Sequence, residues 1–143
     1  MSENVPMQKV IIHTDVLLDF LTHKGSSPSI LREAAQKFFC YTTVFNAIEL
    51  FSFARTARER TAVEDAMRGM KILGMNAKSA KRSGTLLAGA KNLSIINAMV
   101  ACLAFESKLP ILTRNPQEFR GVKGLDVLST GMLRRERRKR GKV

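Results

Sequence analysis

The stretch that decides the fold is Lys9 to Leu21, which reads KVIIHTDVLLDFL. Its first half holds the apolar run Val10–Ile12, which predicts a buried strand, and its second half places apolar residues at helical spacing. Asp15 lies between the two halves and is typical of a helix N-cap. A strand that turns at once into a helix brings side chains to the carboxyl edge of a parallel sheet, where open α/β folds build their sites. His13, at the end of the predicted strand, is therefore the first candidate site residue.

The rest of the chain alternates short apolar runs with amphipathic segments. The pattern predicts further strands at 40–43, 110–112 and 126–128, and helices at 29–38, 45–53, 59–73, 77–90 and 95–107. Gly74 suits the end of the helix at 59–73, and the helices between 59 and 91 are expected to form a hairpin that projects from the sheet. This alternation predicts a three-layer α/β domain with a small parallel sheet flanked by helices. We expect the domain to span residues 1–130 and a basic, flexible C-terminal tail to span 131–143.

Composition favours a globular protein. The chain has 143 residues, of which 45% are hydrophobic, enough for one domain with its own core. Its two cysteines, Cys40 and Cys102, lie far apart in apolar surroundings without a C-x-x-C motif, which predicts buried thiols in a reducing compartment. The N-terminus lacks the pattern of a signal peptide, and no apolar run is long enough to span a membrane. We therefore expect a soluble, cytoplasmic protein without a membrane partner.

Positive charge is concentrated at the C-terminal end of the chain. The formal net charge is +12, and the segment Arg134 to Lys142 alone holds seven Lys or Arg and one Glu. A run of this density repels itself and attracts polyanions. It fits contact with RNA or with an acidic partner, and it also fits a solvated tail that serves solubility. The candidate RNA-binding cations in this segment are Arg134, Arg135, Arg137, Arg138, Lys139 and Arg140.

Four polar side chains stand at positions that indicate a site. His13 and Asn115 follow predicted strands, whereas Glu49 and Asn97 lie in apolar helices that are expected to pack at the edge of the sheet. A carboxylate such as that of Glu49 costs free energy to bury unless it is paired or binds a metal. The alternative is that Glu49 faces solvent or pairs with a nearby arginine, and the pattern leaves both possibilities open.

Taken together, four segments resemble the motifs of PIN domains. The opening stretch resembles the hydrophobic strand, acidic motif and V-L-L-D with which these domains begin. TTVFNAIELFSFA, at 42–54, resembles the second motif, and SIINAMVACLAFESKLPILTRNPQEF, at 94–119, resembles the third and fourth. GVKGLDVLS, at 121–129, resembles the usual close, so the resemblance covers about residues 9–129 in the right order. The most similar subgroup looks like the toxin ribonucleases of VapBC toxin–antitoxin pairs.

This resemblance implies a metal-dependent endoribonuclease. In PIN domains three or four acidic side chains gather at the sheet edge and bind Mg²⁺ or Mn²⁺. Hard divalent cations take several oxygen ligands, and phosphodiester hydrolysis needs a metal that activates water and neutralises charge on the phosphoryl group. The subgroup also implies RNA as the substrate, a small antitoxin protein as a partner, and a homodimer.

The sequence departs from the PIN pattern at two positions. His13 stands where the family has its first Asp, and Asn97 stands where the family has its third acid. Glu49 remains, Asn115 is within the family's range, and Asp15 is a nearby carboxylate. We therefore predict Asp15 and Glu49 as the remaining metal ligands. Imidazole is a poor ligand for Mg²⁺ and an amide oxygen is weaker than a carboxylate, so weak or absent Mg²⁺ binding and impaired cleavage are expected.

Three explanations of the substitutions remain open from the sequence. The chain can be a natural degenerate copy that binds but does not cleave, or it can carry changes selected or introduced because the active toxin harms its host. Alternatively, the site can be retuned to a softer metal such as Mn²⁺ or Zn²⁺ through His13, Asp15 and Glu49. The alternative function is accordingly an inactive module that binds RNA or an antitoxin. Arg114, which adjoins the predicted site, is a further candidate RNA contact.

Overall fold

The computed structural model describes residues 7–133 and contains a parallel sheet with helices on both sides. The strands are β1 (Gln8–Ile12), β2 (Phe38–Thr43), β3 (Lys71–Leu73), β4 (Ile111–Thr113) and β5 (Val127–Ser129). The helices are α1 (Thr14–Thr22), α2 (Ile30–Lys37), α3 (Val44–Phe53), α4 (Ala57–Arg68), α5 (Ala77–Gly89) and α6 (Ile95–Ser107). A 3₁₀ turn spans Pro116–Phe119. Most of the predicted tail, residues 134–143, lies outside the described residues.

The order of the strands places a ligand crevice beside β1. Every strand pair is parallel, and the order across the sheet is β3-β2-β1-β4-β5. The chain therefore moves outward from β1 to β3, and then returns through α5 and α6 to add β4 on the other side of β1. In open parallel sheets, ligands bind outside the carboxyl ends of the strands at the point where the strand order reverses. That point lies between β1 and β4.

The two faces of the sheet each pack against their own helices. Val10 and Ile12 point into a core shared with residues of α1 to α4, while Ile11 between them points into a core shared with α5 and α6. This alternation follows from the period of two along a strand. Both cores are fully closed at β1, where all three side chains are 0% exposed. The predicted three-layer α/β architecture with a small parallel sheet is confirmed.

The junction of β1 and α1 differs from the prediction in one respect. The N-cap of α1 is His13, whose side chain makes no capping hydrogen bond, and Asp15 lies inside the first turn. The prediction of Asp15 as N-cap was therefore wrong. The physical reason is tertiary, because the Asp15 carboxylate accepts hydrogen bonds from Thr113 at the end of β4 and from the two residues after it, instead of capping its own helix.

The segment predicted as one helix at 59–73 contains a helix and a strand. α4 ends at Arg68 with Gly69 as its C-cap, and β3 then pairs with β2 at the edge of the sheet. A three-residue strand is too short to show a period of its own, which is why the helical pattern concealed it. The expected hairpin of projecting helices is also wrong. α4 packs against α1 and α3, whereas α5 packs against α6 on the other face.

α6 has the bounds that the sequence predicted and is the most buried helix of the second face. Its buried residues include Val100, Ala101 and Leu103, and Asn97 lies in its first turn. Apolar residues surround this helix because β1 covers one side and α5 covers another. With 13 residues α6 is short, and within residues 7–133 no helix has the length and apolarity needed to cross a membrane.

The two cysteines are buried and unpaired, as the sequence predicted. Cys40 lies in β2 and Cys102 in α6. Burial raises the pKa of the Cys40 thiol to about 11, so this thiol stays protonated at neutral pH. Because the thiolate is the reactive form, Cys40 has the character of an inert core residue.

Candidate functional site

A cleft of about 440 Å³ opens at the carboxyl edge of the sheet, beside the point where the strand order reverses. Four of the predicted site residues line this cleft although they come from three different parts of the chain. His13 and Asp15 come from the β1–α1 junction, Glu49 from α3 and Asn97 from α6. Asn115, the fifth, follows β4 and reaches the group through a hydrogen bond to Asp15. The fold therefore brings all five predicted side chains to one place.

His13 and Asn97 form a buried pair at the floor of the cleft. The distance from His13 Nε2 to Asn97 Oδ1 is 2.9 Å, and the two residues are 5% and 8% exposed. Asn97 Nδ2 donates to Glu118, so the amide oxygen faces the ring and His13 Nε2 is the donor in this pair. The edge-to-face contact with Phe119, at a centroid distance of 5.4 Å, holds the imidazole ring from the side.

Glu118 is a site residue that the sequence interpretation missed. Its Oε2 accepts a hydrogen bond from Asn97 Nδ2 at 3.2 Å, and it lines the same cleft. Glu118 lies in the 3₁₀ turn, three residues after Asn115. Pro116 at the start of this turn was the available signal, because proline favours the first position of a helical turn and so orients the residues that follow.

Asp15 joins α1 to the chain that leaves β4. Its carboxylate accepts a 2.6 Å hydrogen bond from the Thr113 hydroxyl and a 3.3 Å bond from Asn115 Nδ2. The backbone N–H of Arg114 donates to both of its oxygens at 3.2 Å. Burial raises the pKa of Asp15, but the neighbouring His13 ring and the Thr113 hydroxyl lower it by more, so the pKa of this carboxyl lies below its ordinary value. Asp15 is thus an ionised carboxylate whose oxygens already hold several donors.

Glu49 is held by a chain of hydrogen bonds that runs through the core. Thr14 Oγ1 donates to Glu49 Oε1 at 2.7 Å, and Asn46 Nδ2 donates to Thr14 Oγ1 at 2.9 Å. Thr43 Oγ1 in turn donates to Asn46 Oδ1 at 2.6 Å, and Asn46 is 0% exposed. Glu49 therefore faces the cleft, and within residues 7–133 it forms no salt bridge with an arginine. Thr14 and Asn46 had no sequence signal, since single polar residues in apolar segments do not reveal their partners.

The residues of this cleft do not fit a hard divalent cation. Mg²⁺ requires a near-octahedral set of oxygen ligands. In the described part of the chain, no group of three or more His, Cys, Asp or Glu side chains is placed to hold a metal ion. Oδ2 of Asp15 accepts from Thr113 and Asn115, its Oδ1 accepts from the Arg114 N–H, and Asn97 presents its oxygen to a ring N–H.

The His13 ring lies among acidic groups. Its Nδ1 is 3.5 Å from Asp15 Oδ2 without forming a hydrogen bond. Burial by itself would lower the pKa of His13, but Asp15, the amide of Asn97 and the more distant Glu118 outweigh it, and the pKa is raised above its ordinary value of 6.5. Protonation adds a donor at Nδ1, directed at a carboxylate that is already ionised. Folding therefore favours the imidazolium form of His13 relative to the unfolded chain.

We predict that this pair makes stability depend on pH. Because the pKa of His13 is raised on folding, its contribution is complete below the unfolded value of 6.5 and is lost as the pH rises through the folded pKa. The lowered pKa of Asp15 works in the other direction, and its contribution is lost as the pH falls below 3.8. Urea unfolding from pH 5 to 9 checks this prediction, with His13→Asn as the variant that lacks the loss above pH 6.5. Equal pH profiles for the two proteins would contradict it.

Arg114 was predicted as an RNA contact, and its side chain lies near Asp19 of α1 while its backbone N–H binds Asp15. Its Nη1 lies 3.9 Å from Asp19 Oδ1, and the side chain is 49% exposed. An exposed pair at this distance is weak, so the guanidinium stays available to solvent. The other predicted RNA-binding cations, from Arg134 to Arg140, lie outside the described residues.

Comparison with protein families assigns the chain. The family model described as PIN domain matches residues 10–125. The chain belongs to the PIN domain family. Members of this family are generally dependent on divalent metals. A comparison with curated proteins finds no match.

Solved structures with this fold include toxin–antitoxin proteins. A DNA-bound VapBC from Salmonella typhimurium is 20% identical with a TM-score of 0.74, covering 87% of this chain and 99% of that one. A toxin–antitoxin complex from Klebsiella pneumoniae is 21% identical with a TM-score of 0.68, covering 85% and 98%. VapBC-1 from nontypeable Haemophilus influenzae is 16% identical with a TM-score of 0.69, covering 87% and 99%. At these identities the likeness concerns the fold.

Proposed function

We propose that this chain is a toxin-type PIN endoribonuclease of the VapC class whose metal-dependent RNA cleavage is impaired. The observation that carries the proposal is the 2.9 Å hydrogen bond between His13 Nε2 and Asn97 Oδ1. In the PIN pattern both positions are acidic, and two neighbouring carboxylates repel unless a cation or a proton lies between them. The His–Asn pair has no such repulsion, because His13 Nε2–H donates directly to the neutral amide oxygen of Asn97. The floor of this cleft is therefore held together without the metal ion on which hydrolysis in this family depends.

The roles of the remaining side chains follow from their contacts. Glu49 is the carboxylate that remains from the acidic site the PIN resemblance implies, Asp15 is a nearby carboxylate, and Asn115 positions Asp15 through its amide. We expect the half-exposed guanidinium of Arg114 to contact an RNA phosphate, because the backbone of this residue binds Asp15, which lines the cleft. Glu118 adds a negative charge that a bound RNA would meet, and this charge further disfavours productive RNA binding when no cation is present.

The partners in this proposal come from the structural neighbours. The Klebsiella structure is a toxin–antitoxin complex, and the Salmonella structure is a VapBC bound to DNA. We infer that the present chain likewise pairs with a small antitoxin protein in the cytoplasm and that it forms a homodimer. Co-expression with a neighbouring antitoxin gene, followed by co-purification, tests the pairing.

The direct test of impaired activity uses the chain as it stands. We expect a structured RNA to remain at full length after incubation with the purified protein in Mg²⁺ or Mn²⁺. The matched control is the same incubation in EDTA, which measures contaminating nucleases that need no metal. Strong cleavage that appears with Mn²⁺ and disappears with EDTA would contradict the proposal.

A second candidate is an inactive module that binds RNA or the antitoxin, and the same His13–Asn97 pair favours it. Residual metal-dependent cleavage of RNA distinguishes the two functions. An impaired enzyme loses its remaining metal-dependent cleavage when Glu49 is changed to Gln, because that change removes a retained carboxylate. An inactive module gives the same background in both proteins and still binds its partner.

We predict that the C-terminal cations contribute to RNA binding. Deletion of Arg134 to Val143 should weaken binding at low salt and flatten its salt dependence, because each phosphate contact to a single strand contributes about 0.7 to the slope of log K against log salt. The measurement is fluorescence anisotropy with labelled RNA at several salt concentrations. A tail of equal length with Ser at every Lys and Arg should behave like the deletion. An unchanged slope in both variants would show that the tail does not contribute to RNA binding.

A further inference from the structure

A second cavity lies between α5 and α6, away from the candidate functional site. It has a volume of about 690 Å³, larger than the cleft, and it shares no lining residue with the cleft. Phe105 lines it near the end of α6, whereas Asn97 lies in the first turn of that helix. Eight residues of α-helix separate the two, a distance of about 12 Å along the axis. The cavity is therefore a separate feature of the surface.

The lining of this cavity is strongly basic. Lys78, Lys81 and Arg82 come from α5, and Lys108 comes from the end of α6. Within residues 7–133 none of these four cations forms a salt bridge. The one carboxylate of the lining is Glu106, so the formal net charge of the cavity is +3.

Glu106 is the one acidic side chain among the four cations of the cavity lining, and it forms its hydrogen bonds with other residues. Its oxygens accept hydrogen bonds from the Ser79 hydroxyl at 3.1 Å and from the Cys102 thiol at 3.3 Å, which tie it to the contact between α5 and α6. The Ser79 hydrogen bond is the largest of the effects that lower the pKa of Glu106, and Arg82 and Lys78 lower it further. The carboxylate is thus ionised and occupied, while the cations around it stay exposed.

The arrangement of charge along α5 is costly for the helix itself. Lys78 and Arg82 are four residues apart and therefore neighbours on one face, and α5 contains no acidic residue to relieve their repulsion. Like-charged pairs at this spacing destabilise a helix. A bound polyanion would remove the repulsion.

The apolar part of the cavity indicates which kind of polyanion fits it best. Leu86 and the half-buried Phe105 ring lie among the cations. Phosphates attract cations, and unpaired bases stack on aromatic side chains, so a single strand uses both features at once. A duplex keeps its base faces inside the stack, and an acidic peptide has no regular supply of planar rings.

We propose that the cavity between α5 and α6 is a binding site for single-stranded nucleic acid, with phosphates on Lys81 and Arg82 and a base against Phe105. This site goes beyond the proposed function, because it is separate from the cleft and needs neither cleavage nor a metal ion. It would hold a strand whether or not the cleft is active.

The first test measures the salt dependence of binding. The unsubstituted chain and the double variant Lys81→Ala/Arg82→Ala are titrated onto labelled 12-nucleotide single strands of RNA and of DNA, in EDTA, by fluorescence anisotropy. Loss of two phosphate contacts should lower the slope of log K against log salt by about 1.4. The matched control, Arg32→Ala/Arg58→Ala, removes the same charge from α2 and α4 on the opposite face and should leave the slope near that of the unsubstituted protein. Equal slopes for the two double variants would overturn the proposal.

The second test concerns the aromatic contact. Phe105→Leu keeps an apolar side chain and should weaken single-strand binding by roughly 10-fold, the size expected for loss of one stacked base, without changing the salt slope. Thermal unfolding of the variant shows whether the fold is retained. An unchanged affinity in a folded variant, or displacement of the strand by polyglutamate at equal charge concentration, would overturn the assignment to nucleic acid. Comparison of the RNA and DNA strands identifies which of the two binds more tightly.

Discussion

Replacing His13 and Asn97 together by aspartate is expected to raise Mg²⁺- or Mn²⁺-dependent RNA cleavage by at least about 100-fold over the unsubstituted chain. The two changes restore both formal charges that the PIN pattern places at these positions. They also remove the hydrogen bond that now joins the side chains, so that carboxylate oxygens become available to a hard cation. Loss of a side chain that only supports a metal ligand typically costs 10–100-fold in metal affinity or activity, so recovery of two ligand positions predicts an effect at the upper end of this range or above.

The design of this experiment separates chemistry from folding. Each single substitution should recover little, because it leaves one non-acidic side chain in the cleft. Adding Glu49→Gln to the double variant should return cleavage to background, since Glu49 is the carboxylate that α3 contributes to the cleft. Circular dichroism and thermal unfolding show whether each variant is folded. A folded double variant that leaves RNA uncut in both metals would count against the enzyme proposal.

The second large effect is expected on stability. His13→Ala and Asn97→Ala should each lower the free energy of unfolding by about 1–3 kcal/mol, because either change leaves a buried polar group without its partner. The double variant should cost less than the sum of the single ones, with a coupling energy of about 1 kcal/mol or more. Urea unfolding at pH 6, where His13 makes its full contribution, measures all four proteins.

The comparison of these four proteins, a double-mutant cycle, has a control variant and one result that would contradict the expectation. His23→Ala removes the other histidine, which bonds only to the Ser27 carbonyl at the surface, and should change stability by no more than about 0.5 kcal/mol. Strictly additive single changes at His13 and Asn97 would mean that the 2.9 Å contact stabilises nothing. In that case the His13–Asn97 hydrogen bond would not take the place of a metal ion in holding the floor of the cleft together.

The elements that the sequence predicted well are those with long apolar patterns. α6 and the β1–α1 unit have enough periodic residues to mark both their type and their approximate position. The three-residue β3 does not, because its pairing with β2 is a tertiary property that no local pattern contains. Gly74 was also misleading as the predicted end of this helix, because α4 ends at Arg68 with Gly69 as its C-cap.

The site was partly visible in the sequence. His13, Glu49, Asn97 and Asn115 could be selected because polar residues at strand ends and in apolar helices are unusual, and the PIN resemblance ordered them. The partners were not visible. That Asp15 bonds to Thr113 rather than capping α1, and that Asn97 bonds to Glu118, depends on which loops the sheet order brings together. These contacts decide how the oxygens are used, and they required the structure.

The central claim is that substitution of two acidic positions by a hydrogen-bonded His–Asn pair has cost this PIN domain its metal site. Calorimetric titration of Mn²⁺ and Mg²⁺ into the unsubstituted chain, beside the His13→Asp/Asn97→Asp variant, tests it most directly and needs no RNA. We expect no saturable heat from the unsubstituted chain and a saturable, roughly stoichiometric binding curve from the variant. Mn²⁺ binding by the unsubstituted chain as tight as that of the variant would contradict the claim.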